Sequence, residues 1–146
     1  MERRIFIKNC SYTAVGLPMI GTLLQSCSAI YYATASQNES GLTLSKSEFW
    51  EIKKDKKIER KFVMIQSGNF QFPICLYKIE EDLYTASLLK CSHRGCELNV
   101  GGGIFSCPCH GSEFTIQGKV LEGPANEDLQ TFITKTDNEN IYITIS

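Results

Sequence analysis

Two short boxes of cysteine and histidine constrain this chain more than any other feature. Cys91-Ser92-His93-Arg94-Gly95-Cys96 is followed, eleven residues after Cys96, by Cys107-Pro108-Cys109-His110-Gly111-Ser112. The only two histidines and four of the seven cysteines thus fall inside one window of 20 residues. Thiolate and imidazole donors together select zinc or iron–sulfur over hard cations such as magnesium. Structural zinc sites favour ligand pairs two to four residues apart. Here a single residue separates Cys91 from His93, and each box carries an additional cysteine.

The sequence around the boxes reads as strands. Phe62 to Ile65 is a short apolar run closed by Gly68-Asn69. Pro73 to Ile79 and Leu83 to Leu89 flank Glu80-Glu81-Asp82, the pattern of a hairpin. Ile104-Phe105, Phe114 to Ile116 and Leu129 to Thr134 follow, and Ile141 to Ile145 alternates with period two. Gly101-Gly102-Gly103 can close a tight turn between the boxes without strain. No stretch after residue 47 carries a capped helical stripe, so the expected class is all-β, a sandwich or barrel. Cys75, between Ile74 and Leu76, reads as a buried core thiol.

The boxes resemble those of the Rieske [2Fe–2S] proteins, C-x-H-x-G-C in one loop and C-P-C-H-G-S in the other. The resemblance runs from about residue 60 to 146 and includes Gly118 and Gly123-Pro124-Ala125, which look like the proline loop covering the cluster. It implies an antiparallel β-sandwich or barrel with a small inserted cluster-binding subdomain, its loops at about 90–116. It further implies that Cys91 and Cys107 bind one iron, and that His93 and His110 bind the outer one. Cys96 and Cys109 match the disulfide that clamps the loops in respiratory-type members. Ser112 matches a serine whose hydroxyl reaches a cluster sulfide and raises the potential. Two positions depart from the respiratory pattern. Phe114 stands where those members carry a tyrosine, and Arg94 where quinol-oxidising members carry a leucine. The first removes a donor, so an intermediate-to-high potential is expected. The second changes the docking surface.

The beginning of the chain reads as an address. Arg3, Arg4 and Lys8 precede an apolar run, Ala14 to Leu24, that is shorter than the roughly 20 residues of a membrane span. Arg3-Arg4-Ile5-Phe6-Ile7-Lys8 resembles a twin-arginine export motif. Leu24-Gln25-Ser26-Cys27 resembles a lipobox, with Cys27 the lipidated residue. Residues 1–26 are therefore expected to be a signal peptide, 27–47 a polar tether and 48–146 the domain. Lys53 to Lys61 holds six basic residues interrupted by Asp55 and Glu59. Such a run is a solvated face or strand lead-in, or else a contact with anionic headgroups near the anchor.

With 15 Lys+Arg against 16 Asp+Glu, the chain lacks the basic excess of a nucleic-acid binder. A structural disulfide belongs to an oxidising compartment. These readings converge on a membrane-anchored electron carrier on the outer, periplasmic side of the cytoplasmic membrane. It would hold a [2Fe–2S] cluster and exchange electrons with a cytochrome, a quinol-oxidising subunit or a molybdenum subunit. No nucleophile or acid–base pair outside the cluster points to independent catalysis. The alternatives are a Rieske subunit of a quinol–cytochrome or arsenite-oxidase complex, an oxygenase ferredoxin, which should lack both signal and disulfide, and a zinc-stabilised binding module. If Cys27 carries the lipid, Cys27→Ser moves the protein from membrane to soluble fractions and removes the lipid mass. Fractionation with intact-mass spectrometry checks both.

Overall fold

The computed structural model describes residues 30–145. The signal segment, Cys10 and the lipobox cysteine Cys27 lie outside the described residues. Thirteen strands and a one-turn 3-10 helix, Lys46–Phe49, make up the regular structure. The strands are β1 (Ser36–Asn38), β2 (Gly41–Ser45), β3 (Trp50–Lys53), β4 (Lys56–Glu59), β5 (Phe62–Ile65), β6 (Ile74–Glu80) and β7 (Leu83–Leu88). There follow β8 (Asn99–Gly101), β9 (Ile104–Ser106), β10 (Glu113–Thr115), β11 (Val120–Glu122), β12 (Thr131–Thr136) and β13 (Asn140–Thr144). This is the expected all-β class.

Seven strands form the main antiparallel sheet, in the order β1-β2-β13-β12-β7-β6-β5. The sheet curls because one apolar cluster collects side chains from most of its width. Leu42 and Leu44 of β2, Ile141 and Ile143 of β13, Ala86 and Leu88 of β7, Ile74 and Leu76 of β6, and Val63 and Ile65 of β5 all pack together. Period-two alternation places these residues on one face, and a twisted sheet can cover a common core only by wrapping round it. The chain entering the domain helps close the curl. The N–H of Ala33 donates to the carbonyl of Met64 at 2.8 Å, and that of Met64 to the carbonyl of Tyr31 at 2.9 Å. The segment that flanks β5 at one edge thus continues into β1 and β2 at the other.

The strands β8 to β11 form a separate four-stranded sheet, ordered β11-β10-β9-β8. It is inserted between β7 and β12, which pair directly through Thr131 with Ser87 and Phe132 with Ala86. The insert has its own core, including Leu98, Phe105, Phe114, Ala125 and Leu129, continuous with Met64, Cys75 and Leu89 of the main sheet. The turn between β8 and β9 falls at Gly102-Gly103, as expected. A third element, the hairpin β3–β4, joins neither sheet by backbone pairing and is tied to the main one by the side-chain pair of Glu59 with Lys78 of β6.

The segment 27–47 is not all tether. Its residues 36–38 and 41–45 are β1 and β2, and β2 pairs with β13 over five residue positions. Leu42 and Leu44 alternate with Thr43 and carry buried side chains, a two-residue signal hidden in an otherwise polar stretch. The charge run also contains structure, since β4 lies within it.

Gly41 tests this correction. Its φ is +147°, and a Cβ there would stand 2.0 Å from the Ile143 carbonyl oxygen. Gly41→Ala is expected to destabilise the domain by about 1–3 kcal/mol, read as a lower midpoint in thermal or urea unfolding. A tether would tolerate the change.

Candidate metal centre

The two boxes are the same loop built twice. In the first, the Cys91 N–H donates to the Cys96 carbonyl at 2.8 Å and the Gly95 N–H to the Cys91 carbonyl at 2.8 Å. In the second, the Cys107 N–H donates to the Ser112 carbonyl at 2.8 Å and the Gly111 N–H to the Cys107 carbonyl at 3.0 Å. Each loop can turn back on its opening cysteine because a glycine occupies the left-handed region four residues on, Gly95 at φ +73° and Gly111 at φ +81°. The loops leave from β7 and β9, so the connection between main sheet and insert sets them side by side.

A disulfide joins them, Cys96 to Cys109, with the Cα atoms 6.5 Å apart. The rings of His93 and His110 meet edge to face with centroids 5.0 Å apart. Cys91 and Cys107 carry free thiols and are buried. His93 is half-buried, whereas His110 is exposed. Burial pushes the Cys107 thiol up, but the N–H groups of Cys109 and His110 and the Cys91 thiol outweigh it, leaving Cys107 below its ordinary range. Cys75 is fully buried and burial alone pushes its thiol up strongly, the behaviour of the core thiol expected at that position.

One buried atom points to what the site holds. The Nδ1 of His93 is buried without a hydrogen-bond partner. Buried polar atoms are almost always paired, so an unpaired ring nitrogen on the same loop as a buried thiol fits a group with open coordination sites. Three sulfurs, of Cys96, Cys107 and Cys109, lie within 4.8 Å of one another. Two of these are spent in the disulfide, so that trio is not itself a ligand set.

The segment 123–129 hydrogen-bonds to both loops and is fastened on several sides. The Ala125 N–H donates to Ser112 Oγ at 3.0 Å, and Ser92 Oγ donates to the Glu127 carbonyl at 2.6 Å. Asp128 accepts from the Val120 N–H at 2.9 Å and from Lys119 Nζ at 2.7 Å, which holds its carboxyl below the usual range. The Leu129 N–H donates to the Gly118 carbonyl at 2.8 Å. Gly123-Pro124 is a cis bond. The roles of Ser92 and Asp128 escape sequence reasoning, because their partners lie far along the chain or on the backbone. Phe114 is fully buried in the insert's core, and Arg94 is exposed beside His93.

A family description, the Rieske [2Fe-2S] domain, matches residues 48–133. The chain belongs to this family, whose domain binds a [2Fe–2S] cluster. It is 26% identical over 159 residues to the cytochrome b6-f complex iron-sulfur subunit of Synechococcus sp. (strain JA-3-3Ab), covering 97% of this chain and 86% of that protein. A shorter match, 43% identical over 56 residues, is to the cytochrome b6-f complex iron-sulfur subunit 1 of Nostoc sp. (strain PCC 7120); it covers 37% of this chain and 31% of that protein. Among solved structures, the cyanobacterial plasma membrane Rieske protein from Synechocystis PCC 6803 is similar at a TM-score of 0.52 and 33% identity, covering 58% of this chain and 87% of that one. No helix among the described residues is long and apolar enough to cross a membrane.

The disulfide closes the pair of loops across 13 positions of sequence. Cys96→Ser is expected to lower stability by about 2–4 kcal/mol, measured by denaturant unfolding with and without reductant. The reductant should destabilise the parent and leave the variant unchanged.

Proposed function

We propose that this chain is a lipid-anchored electron-transfer protein of the cell envelope, with Cys91, Cys107, His93 and His110 as its cluster ligands. The unpartnered, buried Nδ1 of His93, on the loop of the buried Cys91 thiol and in ring contact with His110 of the loop of buried Cys107, carries the proposal. When bound, a [2Fe–2S] cluster accepts and returns one electron at a time. The two thiols would serve as thiolates on the interior side, and the two imidazoles would hold the outer iron. Neutral imidazoles in place of thiolates remove negative charge from the centre and raise its potential well above that of all-cysteine ferredoxins.

The remaining residues position and insulate. Exposed His110 and half-buried His93 put the electron's exit at the surface, where a partner docks. Gly123, Pro124 and Ala125 exclude water from above, tied down through Ser112. The Ser112 oxygen accepts from Ala125, which leaves its own proton free to donate toward the centre and stabilise the reduced form. The disulfide supports a location in an oxidising compartment, and the lipobox-like Leu24 to Cys27 supports the anchor. A second reading, a subunit of a larger membrane oxidoreductase, is favoured by the likeness to cytochrome b6-f iron-sulfur subunits. Copurification with a cytochrome or quinol-oxidising subunit separates the two.

Reductive titration followed by electron paramagnetic resonance tests the centre itself. A rhombic signal of low average g is expected from the reduced protein, and a colourless, silent sample would overturn the proposal. Cys91→Ser and Cys107→Ser should abolish the signal, while Cys96→Ser should leave part of it. The reverse order would exchange ligands and bridge. Ser112→Ala should lower the midpoint potential by about 60 mV, the one-electron equivalent of the ~1.4 kcal/mol lost with a hydrogen bond to a charged acceptor. Direct electrochemistry reads it.

A further inference from the structure

The hairpin β3–β4 pairs its backbone with neither sheet and carries the most concentrated charge of the domain. Its strands pair Trp50 with Glu59, Glu51 with Ile58, Ile52 with Lys57 and Lys53 with Lys56. The acids at its base are already matched. Glu51 faces Arg60 at 3.5 Å, and Glu59 is paired with Lys78. At the tip Lys53, Lys54, Lys56 and Lys57 make no ion pair among the described residues, against a single acid, Asp55. The turn is also built from residues that strain it. Lys54 and Asp55 sit at φ +49° and +60°, where asparagine or glycine turns more easily, so a lysine there costs stability and gains surface charge.

Apolar surface accompanies these lysines. Ile52 is 81% exposed, Ile58 44% and Trp50 39%, with the Lys57 ammonium 4.1 Å from the Trp50 ring. A cationic tip with exposed aliphatic and indole groups is the composition that seats at a bilayer interface, where charge meets anionic headgroups and the apolar groups enter just below them. Placement agrees. Arg60 donates to the Trp50 carbonyl at 2.7 Å, and its guanidinium lies 3.9 Å from the Tyr31 ring. Ile30 and Glu51 line one cavity of about 380 Å³ beside it. The chain therefore enters the domain at the hairpin's base. Cys27 is three residues before Ile30, a reach of at most about 11 Å. Trp50, Ile52 and Lys57 share one face of the hairpin, which is roughly 10 Å from base to tip, so with that face on the bilayer a lipid at Cys27, Trp50 and the lysine tip can meet the same plane.

We infer that the β3–β4 hairpin is a second membrane contact, its lysine tip binding the anionic headgroups of the bilayer that holds the anchor. The inference rests on the anchor reading for its geometry, and its test separates the two. Trp50 is the only tryptophan of the chain, so its fluorescence reports on the hairpin alone. Cluster-loaded protein beginning at the lipidated residue 27, and a Cys27→Ser form with the same start, are titrated with phosphatidylcholine vesicles, with and without phosphatidylglycerol, and with lipids brominated in the acyl chains.

The expected result is a blue shift and bromine quenching of Trp50 on the anionic vesicles only, reversed at about 0.5 M salt. In the triple variant Lys53→Gln, Lys54→Asn, Lys56→Gln, which keeps Lys57 over Trp50, about a hundredfold more lipid is needed for half the response, near fivefold per lysine. The inference is overturned by no response on anionic vesicles, an equal response on phosphatidylcholine, or a response the triple variant retains. A response to an acidic soluble redox protein with none to vesicles also overturns it, in favour of protein docking. Sedimentation of Cys27→Ser with phosphatidylcholine vesicles reads the anchor separately. If that variant binds as the parent does, the anchor reading fails while Trp50 still decides the hairpin.

Discussion

Two pairs of backbone hydrogen bonds shape the loops that carry both histidines and four of the cysteines. Each pair closes a loop on its opening cysteine, from Cys91 to Gly95 and Cys96, and from Cys107 to Gly111 and Ser112. With the loop closed, its opening cysteine is buried while the residues between the bonds are half-buried or exposed. The two loops differ in sequence, C-S-H-R-G-C against C-P-C-H-G-S, yet they share the glycine at the fifth position because both need a left-handed residue there. The donors differ in place, histidine third in one and fourth in the other. The same backbone frame therefore brings two different side-chain sets to one site, with the imidazoles in edge-to-face contact.

The rest of the fold keeps those loops in register. Each emerges from a strand end, one from β7 of the main sheet and one from β9 of the insert, and the direct pairing of β7 with β12 pins both ends of the insert to the same scaffold. The disulfide then couples the loops to each other rather than to the scaffold. The insert's apolar core reaches Cys75, Leu89 and Met64 beneath the site, so the centre's inner wall is dry and packed. The division of burial follows. Cys91 and Cys107 are buried in this core, and His110 faces solvent.

Much of this was legible in the sequence, and the parts that were not share a physical cause. The strands with strong apolar signals, such as Phe62 to Ile65 and the hairpin about Glu80-Glu81-Asp82, fall within a residue or two of expectation. The disulfide partners Cys96 and Cys109 are those the family resemblance implied. β1 and β2 were hidden because only Leu42 and Leu44 of that stretch turn inward, and two apolar residues among serines and threonines read as linker. β3 and β4 were hidden for the opposite reason: they contribute nothing to a core, so their sequence is charge with isolated apolar residues. Strand identity there comes from cross-strand hydrogen bonds and a two-residue turn, to which hydrophobic patterning is blind. The segment 123–129 was visible as Gly123-Pro124-Ala125, but its fastening through Ser92, Ser112 and Asp128 joins residues that no local motif connects.

That fastening bears on how such a centre works. An electron arriving at a buried site changes the local charge, and the energetic cost depends on how far the surrounding dipoles must turn in response. Free water and mobile side chains turn a great deal. Here the loops are closed by bonded N–H groups, and the segment 123–129 is held by Ser112 on one side and by Ser92 on another. Each of these groups is already committed to a partner, so its orientation is set before the charge changes. The Asp128 carboxylate, bonded to both Val120 and Lys119, holds the far end of that segment in the same manner. A group held in a site assembled this way would change charge with little reorientation of the bonded groups around it.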